Sequence, residues 1–108
     1  MPKYIFVYLG GSQPESPEEG KQHFEKYQQW LADLGDQVVS PAIPFKDTHT
    51  VHPNGSAEPG TTTLISGMSI LQFASMNEAL QAAQACPFRE INGTLEISEM
   101  VEMPNKLN

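Results

Sequence analysis

The chain has one cysteine, only six lysines and arginines, and no apolar run that approaches the length of a membrane span. A single cysteine excludes an internal disulfide, and the lack of a cysteine framework fits a reducing compartment. With so few basic residues, none of them clustered, nothing can track a phosphate backbone. Neither nucleic acid nor an anionic membrane surface is therefore expected as a partner. A glycine-rich phosphate loop, a Gly-x-Ser-x-Gly elbow and a paired-cysteine metal site are also missing, so no cofactor is expected. The apolar run at residues 4–9 is shorter than a signal-peptide core and has no small-residue cleavage site after it. The cytoplasm is the expected location. What is abundant is negative charge, 13 acidic residues for a net −7, which reads as a solvated exterior. With 108 residues, 39% of them hydrophobic, the chain can bury one compact core, and residues 1–108 are expected to form a single domain.

The stretch from Gly67 to Phe88 organises the rest. Its first half alternates like a strand, and its second half takes helical spacing from Ser75 onward. Ser75 with Glu78 three residues later forms a capping box; Met76, Ala79, Leu80, Ala83 and Cys86 then share one helical face, and Pro87 limits the helix. Ser16, Pro17 and Glu19 repeat the design at an earlier helix, whose apolar face is expected to be Phe24, Tyr27, Leu31 and Leu34, widened by Trp30 and ended by Gly35. Before that helix, residues 3–9 are apolar on both alternating rows, as in a central strand: Ile5, Val7 and Leu9 on one side, Tyr4, Phe6 and Tyr8 on the other. Residues 37–40 predict a short edge strand leading into Pro41 and Pro44. Within residues 46–61, either a plain loop or a small hairpin on an Asn54-Gly55 type I′ turn fits. Residues 61–66 and 68–73 read as extended around a bulge or break at Gly67, and residues 94–101 as a half-polar last strand carrying Leu95, Ile97 and Val101 on one face.

The order strand, helix, strand, strand, helix, strand predicts an α+β fold. The ferredoxin-like βαββαβ arrangement satisfies it, a four-stranded antiparallel sheet with two helices on one face. The other face is left uncovered, with Tyr or Phe of strand one among its candidate residues, and such a face predicts a homodimer interface or a ligand cleft. His23 lies in line with Tyr27 and Trp30 on the first helix. It could act as an acid or base, or could simply be a boundary residue with one satisfied nitrogen. Asp47, His49 and His52 are metal-ligand types without diagnostic spacing and read as loop residues, so no metal site is expected. Cys86 reads as a packed thiol rather than a nucleophile, since no basic neighbour is evident.

Several segments together resemble the YCII-related family of dimeric α+β barrel proteins. They are Lys-Tyr-Ile-Phe-Val-Tyr at the start, Ser-Pro-Glu-Glu and the Tyr-Gln-Gln-Trp-Leu-Ala-Asp-Leu-Gly helix end, Gly67-Met-Ser-Ile-Leu, Asn-Glu-Ala-Leu, Cys86-Pro87 and Gly-Thr-Leu-Glu-Ile. The resemblance implies ferredoxin-like subunits pairing face to face. In its enzyme-like branch a helix-one histidine and an aspartate just before a proline after helix two have been proposed as the active pair; His23 matches the first, and Cys86 stands at the second. The Asp-Gly-Pro-Phe motif of a neighbouring branch is absent. The expectation is a homodimer that binds a small organic ligand in a cleft between its two sheets, with Tyr4, Phe6, Tyr8 and Tyr27 as contacts and His23 for proton transfer. The alternative is a non-catalytic interaction or regulatory module.

Overall fold

The computed structural model describes residues 1–102. Strands β1 (Lys3–Gly10), β2 (Val38–Pro44), β5 (Ile65–Gln72) and β6 (Gly93–Glu99) form an antiparallel sheet in the order β2-β5-β1-β6. Helices α1 (Pro17–Leu34) and α2 (Met76–Gln84) cover one face, which is the ferredoxin-like order with the two most apolar strands central. No helix among the described residues is long and apolar enough to cross a membrane. A separate two-stranded hairpin, β3 (His49–Val51) with β4 (Ala57–Pro59), branches off between β2 and β5.

Both helices start where the sequence says they should. Ser16 Oγ accepts from the Glu19 N–H at 3.1 Å and Ser75 Oγ from the Glu78 N–H at 3.3 Å, while each glutamate reaches back to the amide before its cap, at Glu15 and Ala74. Gly35, at φ 55°, ends α1. The hairpin exists, but its turn is not type I′: the Gly55 N–H bonds the His52 carbonyl and the His52 N–H the Ser56 carbonyl. This is a three-residue loop with Gly55 left-handed. Asn54 spends its side chain on Ser56 instead of adopting a positive φ. The last strand ends at Glu99, leaving Val101 exposed beyond it.

One expectation is reversed. The aromatic row Tyr4, Phe6, Tyr8 is not on the uncovered face; it is buried beneath the helices with Leu71, Phe73, Trp30, Ala79 and Ala83. Ile5, Val7 and Leu9 take the open face, opposite Ile70, Met68 and Ile65. The reason is depth: alanines on α2 leave room that large rings fill and β-branched chains would not. Phe6 lies 6.1 Å from Phe73 and 6.2 Å from Trp30. Met76 and Leu80 of α2, expected in the core, are largely exposed because the buried line runs through Ala79, Ala83 and Cys86. At Gly67 the expected bulge is present, since the pairing with β1 shifts from Tyr8 with Gly67 to Leu9 with Ile65; Gly67 also marks a close approach, because a Cβ there would sit 2.8 Å from the Ile43 carbonyl oxygen of β2.

Removing either cap by Ser16→Ala or Ser75→Ala should cost about 1 kcal/mol. The two losses should add in the double variant, because the caps share no partner. Urea unfolding measures this, and unchanged midpoints in both variants would contradict the assignment.

Candidate functional site

Around Trp30, the buried residue of α1, the helical period fixes what each neighbour faces. At about 100° per residue, His23 falls roughly 20° from Trp30, whereas Phe24 and Leu31 fall together about 100–120° to one side. His23 is therefore drawn inward and half-buried, while Phe24, expected in the core, is 58% exposed. Phe24 and Leu31 flank a cleft of about 470 Å³ between α1 and the edge strand β2. Pro41, Ile43 and Pro44 form the wall opposite, and Ser66 and Gly67 of β5 complete that side. Phe88 closes one end, its ring 5.2 Å from that of Tyr8 and edge-on. Gly93 has no side chain to obstruct it, since a Cβ there would lie 2.2 Å from the Phe88 ring.

Tyr8 and Tyr27 line this cleft, and their hydroxyls meet behind it. Tyr8 Oη is hydrogen-bonded to Tyr27 Oη and lies 2.7 Å from Ser69 Oγ, and Tyr27 Oη lies 3.2 Å from the same serine oxygen. Ser69 is fully buried and is satisfied by these two tyrosines. Burial pushes the Tyr8 phenol far above its ordinary value; it also raises Tyr27, against the opposing effect of the hydrogen bonds from Ser69 and Tyr8. Both phenols stay protonated at neutral pH.

The structure thus brings His23, Tyr8 and Tyr27 to one cleft and leaves Tyr4 and Phe6 out of it, fully buried in the core. Sequence reasoning missed Ser69, Phe24 and the β2 wall. A small polar residue alternating with apolar ones in a buried strand was the available signal for Ser69, but its partners are 42 and 61 residues away. Asp47, His49 and His52 sit apart on the hairpin: His49 contacts Asp47, and His52 Nε2 is 3.2 Å from a Glu58 carboxylate oxygen across the strands. Among the described residues no group of three or more His, Cys, Asp or Glu could hold a metal. At the helix end near His23, Lys26 binds Glu90 at 2.9 Å, and that bond holds the Glu90 carboxyl below its usual range.

No protein-family model and no curated protein matches this chain. Among solved structures it is similar to 5-chloro-2-hydroxyhydroquinone dehydrochlorinase from Burkholderia phenoliruptrix, with a TM-score of 0.59 over 94% of this chain and 95% of that one, at 11% identity. At that identity the likeness shows the fold alone.

Cys86 is buried, and burial pushes its thiol up to about 11. Starting from 9.0, that leaves on the order of one hundredfold less thiolate at neutral pH. A maleimide or disulfide reagent should therefore label Cys86 about one hundredfold more slowly in the folded protein than in denaturant. Equal rates would show that the thiol is accessible and ionised.

Proposed function

We propose that this protein binds a small organic molecule in the cleft between α1 and β2, as a homodimer, with His23 positioned to move a proton. The observation that carries the reading is the cleft itself. Its volume lies in the range of small-molecule sites, its walls are mainly apolar, and a few polar groups converge in it. His23 and Tyr27 stand one turn apart on the same helical face, so both reach the same ligand. The similar dehydrochlorinase was solved in complex with 2,5-dihydroxybenzoquinone, which supports a small ring-bearing ligand on this fold. The non-catalytic alternative draws on a different fact. Among the described residues no carboxylate lines the cleft, the nearby Glu90 is held by Lys26, and Cys86 stands where the resemblance to the YCII-related family would put an aspartate.

A thermal-shift screen of the purified protein against a metabolite library tests binding, and any hit then tests His23. His23→Gln keeps a hydrogen-bonding end and removes the ionisable ring. Its cost in stability should be about 0.5 kcal/mol, as for a rim position. Turnover of a ligand that the parent converts should fall on the order of one hundredfold, the lower range for loss of a general acid or base. Parent-like turnover in the variant removes His23 from the chemistry, and the binding module then stands.

The dimer is proposed through the open sheet face, where Ile5, Val7, Met68 and Ile70 lie half-buried in adjacent pairs. Light scattering at micromolar concentration should give twice the 11.9 kDa chain mass. A monomer at that concentration would contradict it.

A further inference from the structure

The hydroxyls of Tyr8, Tyr27 and Ser69 make three mutual contacts with three protons; the two tyrosines line the cleft, and Ser69 lies behind them. Arranged head to tail around so small a triangle, each oxygen would have to donate and accept along directions too close together for good geometry. Ser69 is fully buried and Tyr8 nearly so, and their hydroxyl contacts lie within the cluster. Tyr27 is half-buried and lines the cleft. The arrangement that satisfies the two buried members has Tyr8 and Ser69 donating within the cluster and Tyr27 accepting, which leaves the Tyr27 proton directed out of it. A hydroxyl that already accepts a hydrogen bond is a better donor.

We infer that Tyr27, held by Tyr8 and Ser69, donates a hydrogen bond to an oxygen of a neutral ring compound seated in the cleft, so that the site selects hydroxyl- or carbonyl-bearing rings over both bare hydrocarbons and carboxylates. This rests on the cleft being a small-molecule site. Flat apolar walls, Phe24 and Phe88 among them, favour a ring. Among the described residues, neither lysine nor arginine lines the cleft. An anion would enter without a fixed positive partner and lose its hydration. Both phenols remain neutral donors because burial raises them. Ser69 and Tyr8 are positioning residues in this scheme, and Tyr27 is the one that touches ligand.

Three matched probes separate the possibilities: 2-naphthol, naphthalene and 2-naphthoate, titrated by fluorescence or protein NMR shifts at pH 8, so that the anion is not aided by an imidazolium. In the parent, 2-naphthol should bind about tenfold tighter than naphthalene and at least about tenfold tighter than 2-naphthoate, the effect of one well-made hydrogen bond. Tyr27→Phe should lower 2-naphthol to the level of naphthalene and leave naphthalene unchanged. Ser69→Ala, which keeps the Tyr27 ring, should weaken 2-naphthol about threefold and again spare naphthalene. Equal affinities for 2-naphthol and naphthalene, or tightest binding of 2-naphthoate, would overturn the inference and leave the cleft a binding site. So would equal weakening of 2-naphthol and naphthalene in Tyr27→Phe, because the ring would then only shape the cleft. No binding of any probe would overturn the small-molecule reading and this inference with it.

Discussion

The contact between Trp30 and the aromatic row of β1 decides where everything else can lie. The Trp30 ring packs against Phe6 and Tyr27, and its N–H donates to the Ala82 carbonyl of α2 at 2.9 Å. A buried indole N–H without a partner would cost about 1–3 kcal/mol, so this one bond constrains both the depth and the rotation of α1. With Trp30 fixed, the 3.6-residue period turns His23 and Tyr27 inward and swings Phe24 and Leu31 over the edge strand. The cleft is thus a by-product of core packing: the face of α1 that carries Trp30 sits on the core, and the flank that carries Phe24 and Leu31 lines the cleft against β2.

How much of this was legible in the chain follows from the range of each signal. Capping is local: Ser16 with Glu19 and Ser75 with Glu78 lie within one turn, and both serine caps form as read, while each glutamate reaches one residue further than a capping box predicts, to Glu15 and Ala74. The order of elements and the antiparallel sheet follow from alternation and from the prolines that mark β2 as an edge. The face of β1 was not legible, because both of its rows are apolar and alternation alone cannot orient a strand that is hydrophobic on both sides. Which row turns inward depends on the space left by Ala79 and Ala83, about seventy residues away. For the same reason Tyr4 and Phe6 were grouped with Tyr8 as ligand contacts, although only Tyr8 reaches the cleft.

The candidate site divides along the same line. His23 and Tyr27 belong to one helix face and could be paired from spacing. The cluster with Ser69 depends on the register between β1 and β5, in which Phe6 faces Ser69 and Tyr8 faces Gly67. The serine hydroxyl thereby comes beside the Tyr8 phenol, while the bare Gly67 lets β2 close in and form the far wall. Neither consequence can be read before the register is known, and a slip of one residue would send both to the open face.

Stability alone does not account for hydroxyls in this part of the core. Replacing a mutually bonded set of buried polar groups by apolar groups of the same shape is often nearly neutral, so phenylalanines and an alanine could in principle fill this space. The rest of the row supports that comparison: Phe6 and Phe73 stack a short distance along the same sheet without a polar atom between them. Of the tyrosines in this layer, Tyr8 and Tyr27 line the cleft and Tyr4 does not, and Ser69, which bonds the first two, is buried beside them. The packing of Trp30 fixes the cleft, and the register of β5 sets Ser69 against the two tyrosines that line it.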